Sequence, residues 1–427
     1  MIVPALILTF IITIFTKVPV AIALGFSSLV AFLVSGQYPL MVLINRLFSG
    51  MDSFVLISIP MFILMARIMN ESGSSRRMFN FANSLVGHWP GGLGHTNVLA
   101  SVIFAGMSGS SAADAAGLGR IEIESMNEHG YDPAFSGAIT AASSVIGPII
   151  PPSIPMVVYG TMSGTSVVKL FAGGFLPGLL LGLTLMIIVY IIAKRTPGFP
   201  IEKKANLKER WIAFKDGLPA LVTIVIILGG IFTGLYTPTE ASVIAVLYVF
   251  FLDICFYHEL KLSDYGRLLY ETALDTGMIL IIIACANAFG WLLAVERIPS
   301  IMIDFITQLN VSPLVVLLLI NAVLLFLGCF IEGIAILVIL TPVLLPIVMQ
   351  LGYNPVYFGV LAVLNVMIGV VTPPMGMSLF ITSRITNIPV MKLSKAMLPF
   401  YVSLIGAVLL CIFFPDIILF LPNLLFK

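Results

Sequence analysis

Gly106, Gly130-Tyr131-Asp132-Pro133, Gly137, Gly147 and Pro151-Pro152 recur as Gly328, Gly352-Tyr353-Asn354-Pro355, Gly359, Gly369 and Pro373-Pro374 at one constant offset, since 328 − 106 and 374 − 152 are both 222. The register continues to Leu176-Pro177 and Leu398-Pro399. The matched residues are those that fix backbone geometry, so similarity of interchangeable apolar filler does not account for the match. The chain reads as one structural unit used twice.

Where such a unit folds follows from composition. Of 427 residues 59% are hydrophobic and 10% charged, against about 25% charged in soluble domains. Apolar runs at 2–35, 54–69, 168–193, 218–256, 276–295, 313–349 and 396–422 are individually long enough for a hydrocarbon core of about 30 Å, and several hold two passes. No strand-like alternation of polar and apolar residues appears, which excludes a transmembrane barrel. We therefore expect an all-α polytopic membrane protein. The N-terminus lacks a basic region ahead of its apolar run, so it is expected to be retained rather than cleaved as a signal peptide.

A net charge of +1 points to neither nucleic acid nor an acidic partner. The positions of the charges carry more. Lys194, Arg195, Lys203, Lys204, Lys208, Arg210 and Lys215 cluster between the two copies, whereas the first sixteen residues carry no charge. By the positive-inside rule this central segment is cytoplasmic. With both termini outside, each copy crosses an odd number of times, which gives two repeats of inverted topology. The expected division is repeat 1 over 1–193, a basic linker over 194–217 and repeat 2 over 218–427. Cys255, Cys285, Cys329 and Cys411 lack metal or redox spacing and read as small core residues.

Within each copy the helices break twice. Between about 92 and 128, two stretches too short to span flank the polar tip Ser108-Gly109-Ser110-Ser111-Ala112-Ala113-Asp114. This predicts a re-entrant hairpin, with a second over about 313–350 around Gly328 to Gly333. Non-helical backbone at that depth is tolerated only inside protein or beside water. Broken helices follow over about 133–165 and 355–387, interrupted by the diprolines, with scaffold helices over about 1–75. Proline lacks an N–H and clashes with the carbonyl four residues earlier. Pro151 and Pro152 are thus expected to free the carbonyls of Gly147 and Pro148, and Pro373 and Pro374 those of Gly369 and Val370. Carbonyls and hydroxyls are hard oxygen donors suited to a hard cation, and half-helix N-termini suit a carboxylate. The competing reading makes the diprolines packing kinks and the serine-rich tip a close helix contact.

Charged residues within apolar sequence are costly and point to function. Asp114 and Glu332, at the two tips, are candidate ligands or supports of a cation, with a helix cap as the alternative role. Arg384 is a candidate for a substrate carboxylate or a side chain that snorkels from a helix end. Arg67, Glu240 and Asp275 are expected in structural ion pairs or subunit contacts.

At Ser108-Gly109-Ser110-Ser111-Ala112-Ala113-Asp114-Ala115-Ala116, Ile149-Ile150-Pro151-Pro152-Ser153, Gly328 with Glu332, and Thr372-Pro373-Pro374-Met375-Gly376, the chain resembles the large membrane subunit of the tripartite ATP-independent periplasmic (TRAP) transporters, over essentially its whole length. The resemblance implies an elevator-type, sodium-coupled importer in the bacterial inner membrane, with two or more Na+ ions. It also implies two partners, a separate four-helix membrane subunit and a periplasmic substrate-binding protein. The small subunit is expected not to be fused here, as no further four-helix region precedes Met1. Substrates implied are organic acids, sialic acid in some branches and C4-dicarboxylates in others, with the overall likeness closest to the sialic acid branch. Carried over, one sodium site would use Ser108, Ser110, Gly147 and Ile150 with Asp114 nearby, and a second Gly328, Glu332, Gly369 and Thr372. Ser111, Ser153, Met375, Gly376 and Arg384 would face substrate.

Other readings remain. Gly106-Met107-Ser108-Gly109 fits the GxSG pattern of intramembrane serine proteases, which need a base beside the serine, whereas His88, His95, His129 and His258 all lie in or beside polar turns. No P-loop is present for ATP. A proton-coupled carrier is the main alternative, since buried carboxylates also relay protons.

Overall fold

The computed structural model describes residues 2–196, 199–308 and 311–426. Its regular structure among the described residues is helical. The first half comprises α1 (Ile2–Phe15), α2 (Val20–Ser35), α3 (Leu40–Met51), α4 (Ser58–Glu71), α5 (Ser74–Val86), α6 (Gly92–Ser108), α7 (Ser111–Ala116), α8 (Leu118–Glu128), α9 (Pro133–Ser144), α10 (Ile154–Ser163) and α11 (Val167–Arg195). The second comprises α12 (Leu207–Phe232), α13 (Pro238–Leu252), α14 (Leu262–Val295), α15 (Ile298–Gln308), α16 (Pro313–Gly328), α17 (Gly333–Gln350), α18 (Pro355–Gly369), α19 (Met377–Thr386), α20 (Val390–Phe413) and α21 (Asp416–Leu425). Among the described residues, seven helical segments are long and apolar enough to cross a membrane by length and composition.

Helix boundaries keep step with the sequence offset. Residues 111–128 hold α7 and α8 and residues 333–350 hold α17, and 333 − 111 and 350 − 128 are both 222. Proline opens α9 at Pro133 and α18 at Pro355, where the fixed φ favours a first turn and no N–H is wasted. The residues before them cap alike: Asp132 accepts from the Ala134 N–H and Asn354 from the Val356 N–H. Some elements differ, among them the break between α7 and α8, which α17 lacks. α3 and α4 are separate, whereas α14, whose start at Leu262 is 222 past Leu40, runs unbroken for 34 residues. Gly50, Asp52 and Ser53 sit at the first break, where Thr272, Leu274 and Asp275 take the same places in α14. Glycine there loses backbone entropy, and Asp and Ser favour turns over helix interiors.

The apolar run 2–35 is divided between two helices. It folds as α1 and α2, of 14 and 16 residues, packed on each other, so each is only about 21–24 Å long. The cysteines are less buried than expected, for Cys255 is exposed and only Cys411 fully buried.

α6 with α7–α8 and α16 with α17 form the two hairpins. Each is tied to the next helix of its own half by buried amides. Asn97 of α6 donates to Thr140 at 2.7 Å and accepts from Ser143 at 2.7 Å, both on α9. Asn321 of α16 accepts from Asn365 of α18, and Asn365 lies 222 past Ser143. The halves also interlock: α19 packs on α7 and α9, while α10 packs on α17. The Tyr159 hydroxyl of α10 donates to the Pro355 carbonyl at 2.9 Å, with its ring against Gly359, where a Cβ would come within 2.2 Å of it. α14 packs against α2, α3 and α4 and also against α17.

Candidate ion site at the helix breaks

The first hairpin turns at Gly109, whose φ of +60° suits glycine. The turn is held against the diproline segment by a hydrogen bond from the Ile154 N–H to the Gly109 carbonyl at 3.4 Å. Ser110 then caps α7, accepting from the Ala113 N–H. This fold brings Ser108, Ser110 and Asp114 to Gly147. A Cβ on Gly147 would lie 3.2 Å from Asp114 Oδ2, 3.2 Å from Ser108 Oγ and 3.3 Å from the Ser110 carbonyl oxygen. A side chain at this position would fit only if these neighbours gave way by a few tenths of an ångström.

The polar atoms converging there are unsatisfied. Ser108 Oγ and both carboxylate oxygens of Asp114 are buried without a hydrogen-bond partner. A buried, unpaired carboxylate costs several kcal/mol, so this group of oxygens is suited to a bound cation. Among the described residues, neither the Gly147 nor the Ile150 carbonyl receives a hydrogen bond. These five residues therefore lie on one tip and the segment facing it.

The proline argument needs correction elsewhere. The Pro148 carbonyl accepts from the Ser153 hydroxyl. In the second half the Gly369 carbonyl accepts from the Thr372 N–H at 2.9 Å, and the Val370 carbonyl from the Ser378 N–H at 3.2 Å. The prolines do remove donors, but the chain folds back tightly enough to supply others three to eight residues on. Of the four carbonyls expected free, only that of Gly147 is.

The second tip is built on contact between glycines. A Cβ on Gly369 would lie 2.4 Å from the Gly328 Cα, and one on Gly328 2.9 Å from the Gly369 Cα. The Met375 N–H donates to the Cys329 carbonyl at 3.1 Å, closing this tip against its diproline segment as Ile154 closes the first. Glu332 takes the cap role, accepting from the Ala335 N–H at 3.1 Å. The Thr372 hydroxyl donates to the Ile368 carbonyl at 2.8 Å.

The residues expected to face substrate are placed variously. Ser153 is buried, its hydroxyl accepting from the Met156 N–H and donating to Pro148. Ser111 is buried between Ser144 at 3.0 Å and Ser378 at 2.8 Å. Gly376 is buried and Met375 is 62% exposed. Arg384 is exposed in the last turn of α19. Arg67 pairs with Glu271 and, at 2.5 Å, with Asp275, as expected of a structural ion pair. Among the described residues Glu240 does not form one. It sits in the first turn of α13, where its carboxylate accepts from the Thr237 N–H and hydroxyl.

Sequence reasoning missed several polar residues. Ser144 and Ser378 flank Ser111, and Glu122 is buried with Oε1 unpartnered. Asn97, Asn321 and Asn365 are isolated amides in apolar runs, and the offset pairs Asn365 with Ser143. Ser108 has no histidine partner: the Nε2 of His95 meets the Pro90 carbonyl and His129 meets the Ser125 carbonyl and Glu202. Among the described residues none bonds to the Ser108 hydroxyl, so a base for a serine nucleophile is not in place.

The family described as the DctM component of the tripartite ATP-independent periplasmic transporters matches residues 7–417. The chain is 43% identical over 410 residues to the sialic acid TRAP transporter large permease protein SiaM of Vibrio cholerae, covering 96% of each. It is 42% identical to the sialic acid TRAP transporter permease protein SiaT of Haemophilus influenzae, covering 98% of this chain and 68% of that protein. It is 40% identical to the C4-dicarboxylate TRAP transporter large permease protein DctM of Pseudomonas aeruginosa, covering 94% of each. The fold is similar to the YdaH transporter of Alcanivorax borkumensis, with a TM-score of 0.61 at 14% identity over 88% of each chain. MtrF of Neisseria gonorrhoeae gives 0.59 at 14% identity over 88% of this chain and 84% of that one. This chain belongs to the DctM family, and is a multi-pass large permease component of a TRAP transporter and not an enzyme.

Proposed function

We propose that the protein is a sodium-coupled importer of an organic acid, sialic acid first and C4-dicarboxylates next, as in the names of its relatives. The observation that carries the sodium reading is the Asp114 carboxylate, buried and unpartnered beside Ser108 and Gly147. Sodium prefers hard oxygen ligands, and a carboxylate, a hydroxyl and free carbonyls of Gly147 and Ile150 supply them. Gly328, Glu332, Gly369 and Thr372 form the second site of the proposal. Substrate reaches the membrane on a periplasmic binding protein, and a small membrane subunit completes the complex.

In this reading the two halves are inverted repeats in the inner membrane, with both termini periplasmic. The hairpins and broken helices move together as an elevator past a scaffold made mainly of residues 2 to about 67 and the equivalent start of repeat 2. The interlocking of α19 with α7 and α9, and of α10 with α17, supports motion as one body.

Proton coupling is the second reading, favoured by Asp114 and Glu122, two buried carboxylates with unpartnered oxygens in one hairpin. Uptake into proteoliposomes, supplied with binding protein and small subunit and with sodium and proton gradients imposed separately, decides between them. Sodium alone driving accumulation supports the proposal, and a proton gradient alone doing so overturns it.

A further inference from the structure

Three buried hydroxyls form a chain across the two halves. Ser144 Oγ donates to the Ala141 carbonyl at 2.8 Å. A hydroxyl has one hydrogen, so Ser144 accepts from Ser111 across their 3.0 Å contact. Ser111 has then used its own hydrogen and accepts from Ser378 at 2.8 Å. With Ser144 donating to Ala141, the chain runs Ser378 to Ser111 to Ser144 to the Ala141 carbonyl. All three serines are buried, so water is not a ready substitute at any link.

The ends of this chain meet the two breaks. Ser111 opens α7, next to the Ser110 carbonyl and in the same short helix as Asp114, both of which face Gly147. Ser378 is in the first turn of α19, and its N–H holds the Val370 carbonyl at 3.2 Å, next to Gly369 against Gly328. One residue thus bonds to the tip of the first half and to the broken segment of the second.

We infer that Ser378 is a positioning residue that couples the two cation sites, holding the first turn of α7 through Ser111 and the second break through Val370. The inference rests on the sodium-coupled reading. Filling one site fixes one end of the chain and lowers the ordering cost at the other, which is positive coupling between ions.

The test is the sodium dependence of substrate uptake by the complete transporter in proteoliposomes. Wild type should respond to sodium with a Hill coefficient above one. Ser378→Ala should bring that coefficient toward one and raise the half-saturating sodium about 3- to 10-fold, with the rate at saturating sodium retained. In a double-mutant cycle, Ser111→Ala should add less on top of Ser378→Ala than it does alone, because the bond between the two serines is lost only once. A protein reduced in packing alone would lose rate without a change in the Hill coefficient. Should Ser378→Ala not fold, Ser378→Cys keeps the volume with a weak donor and should show the same shift. An unchanged Hill coefficient in a sodium-dependent wild-type background, or independent multiplying effects in the cycle, overturns the inference alone. A wild type indifferent to sodium overturns it together with the sodium reading.

Discussion

Ser110 and Glu332 occupy the same place in the two halves of the chain, 222 residues apart, each as the cap of the returning hairpin arm: Ser110 accepts from the Ala113 N–H and Glu332 from the Ala335 N–H. The first half separates the cap from the charge, which Asp114 carries four residues on. The second half has Ile336 at the place of Asp114 and puts both roles in Glu332. The two tips therefore share a cap and differ in electrostatics.

Glu332→Ala should lose about 1 kcal/mol of stability through the missing cap. Glu332→Ser, which installs the cap of the other half, should recover the thermal midpoint but not the response to sodium. Melting curves of both variants, with and without sodium, check this. Equal midpoints for Glu332→Ala and wild type would mean that the cap contributes nothing.

The contact between Gly328 and Gly369 leaves no room for a methyl group, because the nearest atoms are backbone and cannot rotate away. Gly369→Ala should destabilise by about 1–3 kcal/mol through overpacking. Gly406→Ala, with nothing within 4 Å of the added carbon, should be neutral or slightly stabilising. Denaturation in detergent measures both, and equal midpoints would contradict the close packing of the second tip.

Arg67 neutralises Glu271 and Asp275, which lie one turn apart on α14. Arg67→Ala leaves two carboxylates on one face and should cost on the order of 2 kcal/mol. Adding Glu271→Gln and Asp275→Asn should restore much of it. A single Arg67→Ala variant as stable as wild type would show that the pair does not join α4 to α14.

Topology is checked by labelling engineered cysteines in a cysteine-free background. Lys203 lies exposed in the basic linker and Leu235 in the turn between α12 and α13. With the linker cytoplasmic, an impermeant maleimide added outside should label Leu235→Cys and spare Lys203→Cys. The reverse pattern would overturn the assignment of sides.

Much of this was legible in the sequence because it depends on residues with few alternatives. Gly109, Gly328, Gly369 and the diprolines constrain the backbone wherever they stand, so the tips and breaks could be located from spacing alone. That Ser108, Asp114 and Gly147 share one site was implied by the family resemblance, while spacing gave a tip facing a broken helix. The fate of individual carbonyls was not legible. Whether Pro148 or Val370 stays free depends on the path of the chain after the prolines, and the donors from Ser153 and Ser378 arise from that path. Contacts between halves, such as Ser111 with Ser378, are separated by 267 positions and leave no local signal.

The central claim is a sodium ion held by Asp114, Ser108 and the backbone at Gly147. Counting bound radioactive sodium on the purified protein at equilibrium tests it most directly. Wild type should bind sodium saturably, and Asp114→Asn, which keeps the size of the side chain and removes its charge, should lose one ion per chain or bind it at least tenfold more weakly. Identical sodium binding by wild type and Asp114→Asn would contradict the account.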